Sequence, residues 1–528
     1  MSRPDQEPRP AFARPALTRR EAIGTALVGA AAVASGLALG GCGSTVAGVV
    51  ADGSTLRSTW VDPRGDGQLQ IGPGEPLMDR VEFGKRAPAV RELATIAHIT
   101  DAHVMDASSP ARVPFLARLG PPVQSTFRPQ EALTAHVLNG AVNAVRELRP
   151  DLVIQGGDLI DNDQSNELDH ALTLLRGGRV SPGSGPHGYY GVQSASDPDP
   201  FYYRPDIDAP RHPGMLSAAV RPLRSGGLGA QWLPVLGDHD ALVAGELVAN
   251  SVTQQLAVGD RALWNLPPNL QLPAGLKLNP GGSPDGPPDP AFVESFLRQA
   301  LAGPTVQVPA DRRRYELSFV EVMERLWTGS RAAGQNGLSA AAAAPGEALN
   351  YVRDVGDSVR LIVLDLVRRD GGSGGLVGAG QTQWLAQQLE AAEQRWVIVI
   401  SHQPLSGAAG GEQLLALMDQ HPRVIAALAG HIHRNEVRAR PTPAGGYWLI
   451  TTASLIDFPQ QARALRLLAT AGGGVALQTW MLDHVGDGHL GRISRELSYL
   501  DAAGGRPMGF SGTPRDRNVT LYRGAVRT

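Results

Sequence analysis

Five times along this chain an apolar run of strand length stops abruptly at a polar cluster of Asp, His and Gly. Leu93 to Thr100 precedes Asp101-Ala102-His103, Leu152 to Gln155 precedes Gly156-Gly157-Asp158, and Trp232 to Leu236 precedes Gly237-Asp238-His239-Asp240. Trp396 to Ile400 precedes Ser401-His402, and Val424 to Leu428 precedes Gly430-His431-Ile432-His433. Short apolar runs bounded in this way read as buried strands. Acids and imidazoles at the carboxyl ends of strands stand where open α/β sheets bind their ligands, so the five blocks predict one shared site. Gly156, Gly157, Gly237 and Gly430 would allow the close backbone approach that converging side chains demand.

Helical periodicity lies between the blocks. Gln130 to Leu148 carries Leu133, Val137, Leu138, Val142, Val145 and Leu148, and Gln381 to Gln394 carries Trp384, Leu385 and Leu389. These stripes read as core packing. With further sheet at Val359 to Leu366, Tyr447 to Thr452 and Gly474 to Leu482, the alternation predicts an α/β fold. The spacing of the blocks leaves room for long loop insertions at about 162–230 and 241–355, consistent with 63 Gly and 41 Pro in 528 residues. No internal repeat is visible, and Ala340 to Ala344 is of low complexity.

Cys42 is the one cysteine, which excludes an intramolecular disulfide and a thiolate metal cluster. A formal net charge of -3 offers no basic field for phosphate backbones, so nucleic acid is not an expected partner. Thr18-Arg19-Arg20-Glu21 precedes an uncharged run from Ala22 to Gly41 that ends in Leu39-Gly40-Gly41-Cys42. This resembles a twin-arginine signal with a lipoprotein cleavage box. The alternatives are a chance Arg pair in a tail and an uncleaved membrane helix. On the first reading 1–41 is a signal peptide, and Cys42 is lipidated and anchors the chain on the outer face of the cytoplasmic membrane. Residues 42–88 then form a tether and lead-in with room for one strand, 89–485 the main domain, and 486–528 a C-terminal extension.

In order, the blocks read D-x-H, G-D, G-D-H-D, H and G-H-x-H, which resembles the calcineurin-like metallophosphoesterase superfamily. The export signal suggests a bacterial, actinobacterial-type branch of it. The resemblance implies a two-sheet sandwich flanked by helices and a binuclear metal centre. One ion would take Asp101, His103, Asp158 and His433; the other would take Asp158, Asp238, His402 and His431, with Asp158 as the bridge. Carboxylate and imidazole donors without thiolate suit two divalent or trivalent ions of Mn, Fe or Zn. The resemblance further implies phosphate-ester hydrolysis by a metal-bridging hydroxide, with His239 as general acid. Asp161 occupies the place of an aspartate that pairs with that histidine; the alternative is that it caps a turn with Asn162 and Asp163. Asp240 reads as structural.

Two departures stand out. The third block usually reads G-N-H, and Asp238 in place of asparagine adds a negative charge. That predicts tighter cation retention and weaker attraction for dianionic monoesters. Purple acid phosphatases place a tyrosine ligand at the position of Asp161, so no tyrosinate colour is expected. The leading reading is hydrolysis of phosphomonoesters or phosphodiesters, from a small-molecule or lipid substrate, outside the membrane. A cyclic-nucleotide or phospholipid phosphodiesterase is the alternative within the class. A metal-containing surface binding lipoprotein without turnover is the alternative outside it. His170, His187, Tyr189, Tyr190, Tyr202 and Tyr203, in the first insertion, either line a substrate pocket or form a plain aromatic loop cluster.

Overall fold

The computed structural model describes residues 51–119, 123–265, 286–330, 348–485, 488–505 and 510–526. The proposed signal, Cys42 and the run 340–344 lie outside them. Thirteen strands build two sheets: β1 (Met78–Phe83), β2 (Ala89–Ile99), β3 (Leu152–Gln155), β4 (Trp232–Pro234), β5 (Tyr351–Val355), β6 (Val359–Leu364), β7 (Trp396–Ser401), β8 (Val424–Ala429), β9 (Glu436–Arg440), β10 (Tyr447–Thr451), β11 (Gln461–Thr470), β12 (Val475–Asp483) and β13 (Val519–Arg523). The helices that matter below are α1 (Thr134–Leu148), α2 (Ser165–Arg176), α3 (Gln381–Glu390), α4 (Gly411–Met418) and α5 (Gly488–Ala503).

One sheet has the order β1-β13-β12-β11-β2-β3-β4, and the other β5-β6-β7-β8-β10-β9. The apolar runs explain why they stack. Along β6, Val359, Leu361 and Val363 face the space between the sheets, where they join Ile96 and Leu465 of the first sheet. Ile362 and Leu364 point the other way, into a layer closed by Leu385 and Leu389 of α3 and Leu414, Leu415 and Met418 of α4. A strand buried on both faces needs apolar residues at every position, which is why these runs do not alternate. The stripe of α1, with Val137, Leu138, Ala141, Val142 and Val145, is buried in the core of the first sheet. The fold is the expected α/β sandwich flanked by helices.

Arg463 ties the layers together from the inside. It sits on β11 fully buried and donates to Thr452 Oγ1, Thr479 Oγ1, Asn435 Oδ1 and the carbonyls of Thr451 and Asp516 at 3.0–3.1 Å. Burial pulls its pKa down to about 9, and the ring of neutral acceptors is what keeps the guanidinium tolerable there.

The boundaries differ from those expected at 89 and 485. β1 lies within the expected tether and β13 within the expected extension, yet β13 is an interior strand paired with β1 on one side and β12 on the other. Residues 58–61 and 70–73 also form an antiparallel hairpin. These strands are short and mix charged and polar with apolar residues, so their hydropathy is too mixed to stand out from a loop. β5, counted within the second insertion, is likewise the edge strand of the six-stranded sheet. Described parts of the two insertions also contact each other. Arg314, fully buried, reaches Asp106 Oδ2 at 3.1 Å and Ser184 Oγ at 2.7 Å, and the Tyr202 hydroxyl donates to the Trp264 carbonyl at 2.7 Å.

A chain ending at Asn518 should lose its cooperative unfolding transition, because it strips β13 from between two strands and removes the buried Val519 and Leu521, about 1.5–3 kcal/mol each. Circular dichroism melting checks this; a soluble truncated chain with an unchanged transition would show that residues 519–523 are dispensable.

Candidate metal centre

β2, β3 and β4 are parallel neighbours in one sheet, and β7 and β8 are parallel neighbours in the other. Their carboxyl ends therefore deliver all five polar blocks to one place. Backbone pairing runs on past the strands, with Asp101 N–H donating to Gly157 O, His103 N–H to Asp158 O and Gly430 N–H to His402 O, each at 3.0 Å. The chain must turn sharply to aim its side chains inward. Asp101, His103, Asp158, His431 and His433 all adopt positive φ, between 43° and 67°. Non-glycine residues rarely accept this conformation, and such strain persists where surrounding structure enforces it, typically at functional sites. Gly157 is required outright: its φ is +95°, and a Cβ there would lie 2.3 Å from His402 Nδ1.

Candidate ligand atoms gather in three overlapping groups: Asp101 with His103 and His433, Asp158 with Asp238, His402 and His431, and between them His103 with Asp158 and His239. They adjoin at Asp158, whose Oδ2 lies 3.1 Å from His402 Nε2 and 3.7 Å from His103 Nε2. Asp238 Oδ1 is 3.3 Å from His402 Nε2 and 3.2 Å from His431 Nδ1, and Asp101 Oδ1 is 3.2 Å from His433 Nε2.

Ring tautomers test whether cations fit. His103 Nδ1 is 3.1 Å from an Asp161 oxygen, His433 Nδ1 is 2.6 Å from an Asp457 oxygen, and His402 Nδ1 is 2.8 Å from the Gly156 carbonyl. Each Nδ1 faces an acceptor and so carries the proton, which leaves Nε2 as a lone pair in the neutral ring. The Nε2 atoms of His103 and His433 then point at each other across 3.3 Å, and the buried Nε2 of His402 has no hydrogen-bond partner. Lone pairs converging on carboxylates need a positive charge between them, and this N/O donor set fits metal ions. Protons supply part of that charge otherwise. Burial pushes the His402 and His433 pKa values down, but Asp158 for the first and Asp101 for the second outweigh it, raising His402 well above its ordinary value and His433 to about 9. The same pairing, against burial, holds the Asp101 and Asp238 carboxyls well below the usual range.

His239 lies beside this centre, its ring edge-on to His103 with centroids 4.5 Å apart and its side chain 24% exposed. Its backbone N–H donates to Asp158 Oδ1 at 2.9 Å. The expected pairing with the Asp161 carboxylate is corrected here. His239 Nδ1 donates to the Asp161 backbone carbonyl at 2.7 Å, while the carboxylate stands 3.9 Å away and orients His103 instead. The turn decides this. Asp240 Oδ1 accepts from Leu159 and Ile160 N–H, and Glu167 Oε2 accepts from Asp161 and Asn162 N–H, which fixes the carbonyl toward His239. Asp240 is structural in this sense, and burial pushes its pKa up to about 7.

Two further residues at the centre carry no motif. Asp457 receives His433 Nδ1 and a two-pronged Arg128 guanidinium at 2.7 and 3.1 Å, and Gln403 Nε2 donates to Asp238 Oδ1 at 3.0 Å. The only signals were an acid in the otherwise unassigned stretch Ser454 to Arg463 and an amide directly after His402. Of the aromatic and His residues in the first insertion, none is in the gathered groups. Tyr202 and Tyr203 spend their hydroxyls on the carbonyls of Trp264 and Pro210, as a packing cluster does.

No family model matches the chain, and no curated protein matches it significantly. Among solved structures, a dimetal phosphatase from Danio rerio is similar at 14% identity over 75% of this chain and 98% of that one, with a TM-score of 0.36. A structure of PhoD is similar at 11% identity over 82% and 80%, with a TM-score of 0.27. A 5′-nucleotidase structure from Staphylococcus aureus aligns over 28% of this chain, at 15% identity and a TM-score of 0.19. Likenesses this slight leave fold and site resting on the topology and geometry above. Among the described residues, no helix is long and apolar enough to cross a membrane.

The raised His pKa values give a signed expectation for chelator-treated protein. His433 gains a proton on folding, so its contribution is fully present below its ordinary 6.5 and is lost as pH rises through about 9. Thermal unfolding of metal-free protein should therefore move to lower temperature across that window, and His433→Gln should flatten the trend. A metal-free wild type whose stability is level or rising there would contradict the carboxylate–imidazole pairing.

Proposed function

We propose that this chain is a binuclear metal-dependent phosphoesterase. The observation that carries the reading is the pair of ligand groups adjoining at Asp158 with His239 beside them. Asp101, His103, Asp158 and His433 would hold one ion, and Asp158, Asp238, His402 and His431 the other, drawn from Mn, Fe or Zn. Bound there, the two ions would activate water and offset charge on a phosphoryl group displaced in line. The remaining chemistry belongs to side chains. His239, fixed through Nδ1 to the Asp161 carbonyl, keeps Nε2 for a leaving oxygen and suits the role of general acid. In the metal-free chain burial pushes its pKa down, but Asp158 and Asp238 outweigh this and raise it. Asp161 orients His103 through its carboxylate and the acid through its backbone carbonyl.

Asp238 sets the preference among esters. Three carboxylates against two divalent ions leave less net positive charge than an asparagine would, which disfavours dianionic monoesters relative to monoanionic diesters. A cavity of about 230 Å³ lies beside His431, lined in part by Ser401, Gln403, Leu405, Ile432 and Arg438. The twin-arginine and lipobox residues before Cys42 support action outside the cytoplasmic membrane, with the chain held by a lipidated Cys42 and reaching small-molecule or lipid phosphate esters there.

A phosphate-release panel on protein of measured metal content tests the reading. Bis-aryl phosphate should turn over faster than mono-aryl phosphate with Mn supplied, and Asp238→Asn should shift the ratio toward the monoester. His239→Ala should cost roughly 100-fold or more on alkyl esters with poor leaving groups and far less on activated aryl esters. Two ions per chain with no turnover on any ester would mark a binding protein, and equal losses on both ester types would remove His239 from the acid role.

A further inference from the structure

Resting on the binuclear reading, we infer that Asp161 and Asp457 are positioning residues that make the two halves of the centre unequal, so that the half formed by Asp101, His103 and His433 fills first and holds its ion more tightly. The difference lies behind the imidazoles. Both histidines of this half are backed by carboxylates: Asp161 at 3.1 Å on His103 and Asp457 at 2.6 Å on His433. In the other half His402 is backed by the neutral Gly156 carbonyl at 2.8 Å. His431 turns its Nδ1 toward Asp238, and among the described residues no other carboxylate pairs with its ring.

A carboxylate that accepts the distal N–H makes the opposite nitrogen a stronger donor and locks the ring in its ligating orientation, whereas a carbonyl dipole does so more weakly. Asp161 also adds anionic charge to the field at that half, whereas the charge of Asp457 is offset by Arg128, so Asp457 acts mainly by orienting His433. Both carboxylates are held in place. Arg128 grips Asp457 through two N–H groups, and the Asp457 backbone N–H donates to Ser454 Oγ at 2.9 Å. Asp161 sits on the turn pinned by Asp240 and Glu167. In the other half, Gln403 donates an amide N–H to Asp238, which draws electron density away from a ligand carboxylate. The first-filled half is thus also the one better suited to an ion of higher charge.

The experiment is a titration of metal-stripped, full-length protein with Zn(II) against a competing chelator. Wild type is expected to bind two ions in two resolved steps, and His431→Ala to keep the first step while losing the second. Asp161→Asn and Asp457→Asn should each weaken the first step by roughly 10- to 100-fold and leave the second within about twofold, with Asp457→Glu recovering most of the loss. Because Asp457→Asn strands a buried Arg128, the double variant Arg128→Gln with Asp457→Asn serves as its control, and Asp161→Asn tests the same claim without touching that ion pair. Two steps weakened equally, a loss confined to the second step, no loss, or two wild-type ions of equal affinity would each overturn the inference. Fewer than two ions in the wild type would instead refute the binuclear reading on which it rests.

Discussion

One atom shows the constraint under which this fold operates. His402 Nε2 lies 3.1, 3.3 and 3.9 Å from oxygens of Asp158, Asp238 and Asp101, all buried. Ligand oxygens of Asp158 and Asp238 lie within 4.8 Å of each other, and like charges about 4 Å apart repel by about 4 kcal/mol at an effective dielectric near 20, before any desolvation is counted. The three carboxylates can stay ionised together only with positive charge among them. Imidazolium protons provide some of it in the metal-free chain, and the lone-pair geometry of His103, His402 and His433 shows where cations would replace those protons. Everything at the strand ends follows from holding these groups in place.

That placement costs conformational energy, and the layers around it supply the rigidity. Five of the proposed ligand residues sit at positive φ, each on the order of 1–3 kcal/mol less comfortable than an ordinary turn. They are backed by strands buried on both faces and by a core that runs continuously from one sheet to the other. Arg463, fully buried without an ion-pair partner among the described residues, spends its donors on both sheets and on the segment leading into β13. The C-terminal strand is therefore coupled to the same interior that aims the ligands.

Much of this was legible in the sequence because it is written locally. An apolar run followed by Asp, His and Gly states both the strand and its end, and the seven proposed ligands come together where the blocks place them. What was illegible depends on orientation or on distant partners. Asp161 was correctly placed near His239, but whether its carbonyl or its carboxylate faces the ring is set by Asp240 and Glu167, and spacing cannot report that. Asp457 has no motif and gains meaning only through Arg128, 329 residues away in sequence. β13 escaped notice, and β1 was allowed for only as one unplaced strand of the lead-in, because a five- or six-residue strand of mixed hydropathy resembles a loop until its partners are known.

The proposed centre requires two cations, one for each set of proposed ligands. Anomalous diffraction from crystals grown with Mn or Zn, collected at the metal edge, tests it most directly. Two peaks are expected, one among Asp101, His103 and His433 and one among Asp238, His402 and His431, with Asp158 between them. A single peak, or density elsewhere in the molecule, would contradict the binuclear centre.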